Sequence, residues 1–233
     1  MFRAITALLT ALPLIMTPAM VAQGMNDADG IGFAGALFAI AVALILTLLL
    51  RRSAFRLFNA AADMLGEYRL QRMLLDNSDF LMSDFIIPGA YGGLSKIDHA
   101  LLTRTGLICI RAAHQHGKVF GSADDAQWCH VNGGRRRRFL NPVIQNEGRV
   151  RGLSSALPSV PVTNLVVFTG PAQLISETKP NVILLSELSA WIDKHTKASD
   201  PVDDLGGAWQ RLRDVAITDE DTRKDYQAQI GFC

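Results

Sequence analysis

The segment "IDHALLTRTGLICIRAAHQHG", residues 97–117, has the pattern of two apolar β-strands joined by a tight turn. The strands are predicted at about residues 97–102 and 107–112, and Gly106 in the "TRTG" turn can adopt a positive φ. Strand alternation puts Asp98 on the opposite face from Ile97 and His99. Facing positions on paired strands can meet, so we expect Asp98 to approach Arg111, most simply as a structural ion pair.

The segments on either side of this hairpin predict an α/β domain. "KVFG", "AQWCHV" and "RRRRFL" are typical of short strands, with "NGG" from Asn132 as a hairpin turn. Asn141 and Pro142 predict a helix start, because Asn caps free amides and proline suits the first helical position. "TNLVVF", "NVILLS" and a helix from Glu187 to His195 then alternate β and α. The expected architecture is one mixed sheet flanked by helices.

A charge-free apolar run at residues 31–50 predicts a transmembrane helix, since it is long enough to cross the roughly 30 Å hydrocarbon core. Arg51, Arg52 and Arg56 follow it and favour a cytoplasmic location for everything after Leu50. Residues 1–24 fit either a signal peptide or a first transmembrane helix, and both leave the body of the protein cytoplasmic. The predicted location is the membrane, the inner membrane if the source is bacterial.

Composition and cysteine spacing limit the remaining possibilities. The 233 residues carry a net charge of +1, and about half are hydrophobic, which favours one globular domain plus a lipid-soluble segment. The three cysteines have no CxxC spacing and lie on the predicted cytoplasmic side, so we expect no disulfides. Residues 53–76 are predicted as a helical connection into the domain, and residues 196–233 as a polar C-terminal extension, helical or extended.

Several motifs together resemble the NERD, or nuclease-related, domain, whose family has the PD-(D/E)XK nuclease fold. They are "GEYRLQRML", "FIIPGAYGGLSKIDHALLTRTGLICI", "GKVFG", "QW" and "NPVIQNEGRVRGL", in that order and spacing. "LVVF" and "LLSELSAWI" resemble the closing strand and helix of that domain. The resemblance covers about residues 65–192, predicts a NERD-like domain at 65–195, and implies a restriction-endonuclease-like arrangement.

The resemblance also implies a site. It carries over Glu67 on the first helix, Asp98 of "IDH" and Gln145 of "NPxxQ". The ExK motif of the family falls on Arg111 to Ala113, so both its glutamate and its lysine are absent.

This substitution is unfavourable for metal-dependent chemistry. Hydrolysis of a phosphodiester by a divalent ion needs oxygen ligands and a group that activates water. A guanidinium about 4 Å from Mg²⁺ is repelled by roughly 4 kcal/mol per unit of the ion's charge at an effective dielectric near 20. We therefore expect no metal cofactor, with Arg111 occupying the cation position or contacting a phosphate; the alternative is a Mg²⁺ site that has moved.

The histidines are the candidate ligands for such a moved metal site. His99, His114, His116 and His130 lie near the lost lysine in sequence, but their spacing matches no zinc motif. The simpler interpretation is that they are surface or loop residues.

The densest positive charge is the run Arg135 to Arg138, with Arg149 and Lys118 near it in sequence. On a strand Arg135 and Arg137 face one way, and Arg136 and Arg138 the other. These residues are candidates for phosphate contacts, with DNA favoured over RNA. Two alternatives stay open: a charged hairpin edge that resists aggregation, and attraction to an anionic membrane surface.

The sequence therefore predicts a membrane-anchored, NERD-like module with an eroded catalytic set that binds nucleic acid or a protein partner. The first alternative is an active metal-dependent endonuclease with a displaced site. The second is a membrane scaffold with no role in nucleic-acid binding.

Overall fold

The structure, a computed structural model of the 233-residue chain, describes residues 30–77, 80–122, 124–175, 180–198 and 201–231. The chain divides into two compact units, residues 1–60 and 61–233. The signal peptide or first transmembrane helix predicted at residues 1–24 lies outside the described residues.

Helix α1 (Gly30–Asn77) joins the predicted transmembrane segment and the predicted helical connection in one continuous element. Leu and Phe side chains in its first part are exposed, for example Phe38 at 71% and Leu50 at 64%. By length and composition α1 is able to cross a membrane, a test that a signal sequence near an N-terminus also passes.

The strands form two sheets, where the sequence suggested one. The first sheet has five strands in the order β1-β2-β3-β7-β9, and the second has four in the order β6-β5-β4-β8. In the first sheet β1, β2 and β3 are antiparallel neighbours, whereas β7 and β9 continue it in parallel. The strands are β1 (Leu81–Pro88), β2 (Leu94–Thr103), β3 (Gly106–Ala113), β4 (Gly117–Phe120), β5 (Gln127–Asn132), β6 (Arg135–Leu140), β7 (Val162–Phe168), β8 (Ala172–Leu174) and β9 (Val182–Leu184).

The expectation of a single mixed sheet is therefore corrected: β4 pairs with β5 and β8, not with a strand of the first sheet. Strand β8, which the sequence did not suggest, is the parallel partner of β4 and completes the second sheet. Apolar side chains join the two sheets, since Trp128 of β5 packs in one cluster with Phe168 and Val166 of β7.

The predicted hairpin at the centre of the first sheet is confirmed. Strands β2 and β3 pair antiparallel, and Leu102 lies opposite Leu107 next to the turn. Gly106 has a φ of 139° in that turn, and a Cβ there would lie 2.5 Å from the Pro161 carbonyl oxygen. Only glycine combines this φ with this approach.

Four more helices are described, one between β6 and β7 and three after β9. Asn141 caps the first of them as predicted, its side chain accepting a hydrogen bond from the Val143 amide. The predicted polar extension from residue 196 contains two helices, and one of them buries Ala208 and Leu212 in the core. The helices are α2 (Pro142–Ala156), α3 (Leu188–Ala198), α4 (Leu205–Val215) and α5 (Glu220–Gly231), with a 3-10 turn at Leu185–Glu187.

The first sheet has an apolar core on each face. Helices α2 and α4 contribute Leu153 and Leu212 to one cluster, whereas α1 and α3 contribute Leu70 and Leu188 to the other. The helices thereby cover both faces, as is usual for sheets with parallel strands.

Strand β2 does not alternate regularly around Asp98. Ile97 and Ala100 pack in the same apolar cluster. They are three positions apart, and regular strand alternation would put them on opposite faces of the sheet. The partner strand is irregular at the same level, where Asp84 has a φ of 54°. A left-handed residue of this kind re-aims the side chains next to it, so simple alternation does not fix the direction of Asp98.

Candidate functional site

The predicted approach of Asp98 and Arg111 is confirmed. His99 pairs with Ile110 in the β2–β3 register, so Asp98 and Arg111 fall opposite each other one position further on. The distance from Arg111 Nη1 to Asp98 Oδ2 is 3.5 Å, and the side chains are 23% and 22% exposed. The carboxylate and the guanidinium thus form a largely buried ion pair at the position where the family has two acids.

A second guanidinium, from helix α2, stands beside this pair. Arg149 donates from Nε to the Lys96 carbonyl at 2.5 Å and from Nη1 to the Gln145 carbonyl at 3.1 Å. These two bonds hold its side chain over β2. Burial lowers the pKa of Arg111 below its usual value, the charge of Arg149 lowers it further, and Asp98 acts in the opposite direction. The ion pair and its neighbour therefore comprise two cationic side chains and one carboxylate.

The "NPxxQN" motif contributes differently from what the resemblance implied. The Gln145 side chain is exposed, and the contact described above uses its backbone carbonyl. The next residue, Asn146, is fully buried: its amide donates to the Cys109 carbonyl at 3.0 Å and to Asn164 Oδ1 at 2.8 Å. Sequence reasoning missed Asn146, and its position after Gln145 in the quoted motif was the available signal.

Glu67 lies among histidines. A hydrogen bond of 2.7 Å joins its Oε1 to His99 Nε2, and His114 Nε2 is 3.9 Å from Oε2. The other ring nitrogen of His99 bonds Ser83 Oγ at 2.8 Å. The hydrogen bond from His99 is the largest effect on Glu67 and lowers the pKa of its carboxyl group, against a smaller opposing effect of burial. Among the described residues, no ion pair joins Arg111 to Glu67.

The interpretation of the histidines as surface or loop residues is wrong for His99, which lies on β2 and is 3% exposed. His116 lies in the loop between β3 and β4, although it is only 6% exposed. His116 bonds Asp63 at 2.7 Å, one helical turn before Glu67, and His114 bonds Thr169 at 2.9 Å. Burial of a histidine is tolerated here because each ring finds a polar partner.

These contacts do not assemble a metal site. Within the described ranges, no group of three or more His, Cys, Asp or Glu side chains is placed to hold a metal ion. At the position that the family implies, Asp98 is paired with a guanidinium and Ala113 offers no donor. Because a divalent ion needs several oxygen ligands and is repelled by Arg111, these residues do not fit Mg²⁺.

The arginine run occupies an outer strand of the second sheet. All four side chains of Arg135 to Arg138 on β6 are exposed. The register places Lys118, Val131 and Arg136 in one row, and Phe120, Cys129 and Arg138 in the next. Since directly paired residues share a face, Lys118, Arg136 and Arg138 lie together on one face, which we call the basic face.

The other side of the same strands is apolar around Trp128 and Phe139 and carries Arg135 and Arg137 further along. Trp128 is 1% exposed and lies parallel to Phe168 with ring centroids 6.4 Å apart. Phe139 packs against it edge-on. These rings belong to the core, as the sequence favoured, and the predicted separation of Arg136 and Arg138 from the other two arginines follows from the register.

Helix α5 reaches the strands that carry the ion pair. Arg223 bonds both the Asp84 carboxylate, at 2.6 Å, and its backbone carbonyl, at 2.7 Å. The amide of Gln229 bonds the backbone of Leu94 in both directions. None of the α5 residues is buried, and these polar contacts help to hold the helix against β1 and β2.

The fold and this site define a class: a mixed α/β domain with two sheets, in which an acid from β2 faces a guanidinium from β3. Residues 62–169 match the model of the NERD, or nuclease-related, domain. These residues, 108 of the 233, therefore form a NERD domain. The resemblance predicted from the motifs is confirmed.

One curated relative matches over a longer stretch than the domain. It is an uncharacterized protein of Bacillus anthracis, 22% identical over 169 residues, which cover 69% of this chain and 80% of that protein. A comparison with solved structures gave no match.

Proposed function

We propose that this protein is a membrane-anchored NERD module whose domain faces the cytoplasm and binds nucleic-acid phosphates without a metal ion. The observation that carries the proposal is the ion pair between Arg111 and Asp98, at 3.5 Å, in the position of the family's second acid. The two-acid arrangement that holds a metal is replaced there by one acid and one fixed cation.

The local charge supports an anionic ligand. Arg111 and Arg149 together outnumber Asp98 by one positive charge, and the pKa of Arg111 is lowered both by burial and by Arg149. A phosphate oxygen bound between the two guanidiniums would relieve this repulsion. Arginine suits the task because its planar donors match a phosphate in two parallel hydrogen bonds.

The same residues argue against hydrolysis. Ala113 replaces the lysine of the ExK motif, so no ammonium is available there to orient water or to stabilise developing charge. Arg111 cannot act as a ligand or as a general base at neutral pH. We therefore assign the domain a binding role and treat a Mg²⁺-dependent endonuclease as the competing function.

The basic face supplies a surface for a longer polyanion. Lys118, Arg136 and Arg138 are exposed on one side of the second sheet, and the side chain of Arg136 is positioned by a 3.0 Å contact between Nε and Cys129 Sγ. Such contacts carry little sequence information, so we expect binding that depends more on charge than on sequence.

Helix α1 supports the membrane anchor. Its apolar first part is followed by Arg51, Arg52 and Arg56, and cationic side chains are retained on the cytoplasmic side of a membrane. An anchored domain would meet its ligand at the membrane surface.

The test uses the full chain in detergent micelles. Fluorescence anisotropy measures binding of labelled single-stranded and duplex DNA, with RNA in parallel, at several salt concentrations. Arg111→Gln should weaken binding about tenfold, because one charge-assisted contact is lost. Arg213→Gln is the matched control, since Arg213 is an exposed arginine on α4, away from the ion pair.

A cleavage assay with Mg²⁺ and Mn²⁺ separates the alternatives. Cleavage that Asp98→Ala abolishes would establish an active endonuclease and overturn the proposal. Absence of DNA and RNA binding by the folded protein would favour a scaffold or a module that binds a protein partner.

A further inference from the structure

A groove runs along helix α1 at the carboxyl ends of two parallel strands. Its volume is about 660 Å³, which is within the range of sites for small organic ligands. Neither Asp98 nor Arg111 lines it, so it is separate from the ion pair. The lining residues are Ala62, Leu65, Gly66, Arg69, Arg72, Met73, Asp76, Phe168, Thr169, Gly170, Pro171, Ala172, Leu184, Leu185 and Ser186.

The groove is fixed by a close contact between α1 and the end of β7. A Cβ on Gly66 would lie 2.5 Å from the Thr169 carbonyl oxygen, so this approach requires glycine. Strands β7 and β9 end at Phe168 and Leu184, next to this contact. In open sheets with parallel strands, ligands bind in the crevice outside the carboxyl ends of the strands.

Two arginines stand on the wall formed by α1. Arg69 and Arg72 are exposed, three residues apart, and line the groove together. Neither one has a hydrogen bond or ion pair with any residue in the part of the chain that the structure describes. Their donors therefore remain available to a ligand, and two adjacent guanidiniums match the double negative charge of a phosphate monoester.

An acid lies at the other end of the same wall. Asp76 follows Arg69 by seven residues, which is two helical turns or about 10 Å along the axis. Asp76 follows Arg72 by four residues, so it lies about one helical turn from the nearer arginine. The floor of the groove is apolar, with Leu65, Met73 and Leu184 among its side chains. The groove thus offers a pair of cations, a hydrogen-bond acceptor one turn away and an apolar floor, which allows the order phosphate, ribose and base of a nucleotide.

We propose that this groove binds a nucleotide. Arg69 and Arg72 bind the phosphate, the apolar floor receives the base, and Asp76 accepts hydrogen bonds from ribose hydroxyls. A fatty acid would satisfy the arginines and the floor but would leave Asp76 facing an apolar chain without a donor. The ligand is either a free mononucleotide or the 5′-phosphorylated end of a strand.

Isothermal titration of the full chain in detergent micelles with AMP, adenosine and inorganic phosphate tests this proposal. AMP should bind with one site, and more tightly than either adenosine or phosphate. Arg69→Gln and Arg72→Gln should each weaken AMP about tenfold or more, because a charge-assisted hydrogen bond is lost. Circular dichroism melting of each variant verifies that the fold is retained.

Two further variants make the assignment specific. Asp76→Asn should weaken AMP several-fold and leave 2′,3′-dideoxy-AMP unchanged, because only AMP has the ribose hydroxyls. Arg213→Gln, on the exposed surface of α4, should leave AMP binding unchanged. AMP binding by the wild type that persists in Arg69→Gln and Arg72→Gln, or no AMP binding by the folded wild type, would overturn the proposal.

A 5′-phosphorylated trinucleotide distinguishes the two sources. Competition with AMP that requires the 5′-phosphate identifies a strand end, whereas AMP binding without such competition identifies a free nucleotide; both results support the groove as a nucleotide site. Since Arg111 is not part of this groove, Arg111→Gln should not change AMP binding. Failure at this site would leave the phosphate site at Arg111 standing.

Discussion

Replacing Arg111 by glutamate tests whether this one residue excludes a metal ion. At 3.5 Å and an effective dielectric near 20, the attraction between Arg111 and Asp98 is about 5 kcal/mol. Both side chains are about one-fifth exposed, and the cost of desolvating them offsets much of this term. We expect Arg111→Glu to lower the free energy of unfolding by about 2–3 kcal/mol, because an attraction is lost and two carboxylates then repel each other.

A divalent ion should reverse part of this loss in the variant alone. With two acids side by side, Mn²⁺ at about 100 times its dissociation constant would restore about 2.7 kcal/mol. Thermal unfolding in detergent, with EDTA or with MnCl₂, measures the effect. The melting temperature of Arg111→Glu should rise by about 5–10 °C with Mn²⁺, whereas that of the wild type should not change.

Arg104→Glu provides the matched control, because Arg104 is an exposed arginine in the turn between the same two strands. It makes the same charge change without placing two acids together. Equal stabilisation of the wild type and Arg111→Glu by Mn²⁺ would refute the reasoning, since the guanidinium would then not be what excludes the ion. So would the absence of any Mn²⁺ effect on the folded variant.

Three other predictions follow from the contacts. Neutralising Arg136 and Arg138 should flatten the slope of log binding constant against log salt by about two for duplex DNA, measured by anisotropy; an unchanged slope would remove the basic face from the interface. The hydrogen bond from His99 lowers the pKa of Glu67, so the carboxylate stabilises the fold above its ordinary pKa of 4.5. This contribution disappears as the pH falls through the lowered pKa. Urea unfolding measured against pH should show less acid sensitivity in Glu67→Gln, and a profile identical to that of the wild type would contradict the assignment. Burial raises the pKa of the Cys109 thiol to about 12, so at neutral pH iodoacetamide should label Cys109 only in denaturant, as mass spectrometry of peptides would show.

The ion pair was accessible from the sequence because it depends on local pairing. Strands joined by the short turn at Gly106 have only one simple register, and that register places Asp98 opposite Arg111. The cap at Asn141 was accessible for the same reason, since it involves neighbours in sequence. Local geometry of this kind is encoded within a few residues.

Contacts between distant segments were not accessible in this way. The bond between His99 and Glu67 joins residues 32 positions apart and depends on how α1 packs against β2. The division into two sheets depends on β8, three residues long, which has too little pattern to be read from sequence. The buried amide of Asn146 likewise depends on the approach of α2 to β7, where it meets Asn164.

A phosphate site built on Arg111 would behave differently from the metal site it resembles. Where a bound ion supplies the contacts to phosphate, a chelator removes those contacts, whereas guanidinium donors are permanently charged. Binding at Arg111 and Arg149 should therefore persist in EDTA and respond to salt instead. The polar seating of α5 on Asp84 and Leu94 is itself sensitive to salt, because it involves no buried residue. Low salt thus favours both the binding of the ligand and the packing of α5 against the strands. The salt dependence of DNA binding therefore has to be compared between the wild type and Arg223→Gln before it is assigned to phosphate contacts.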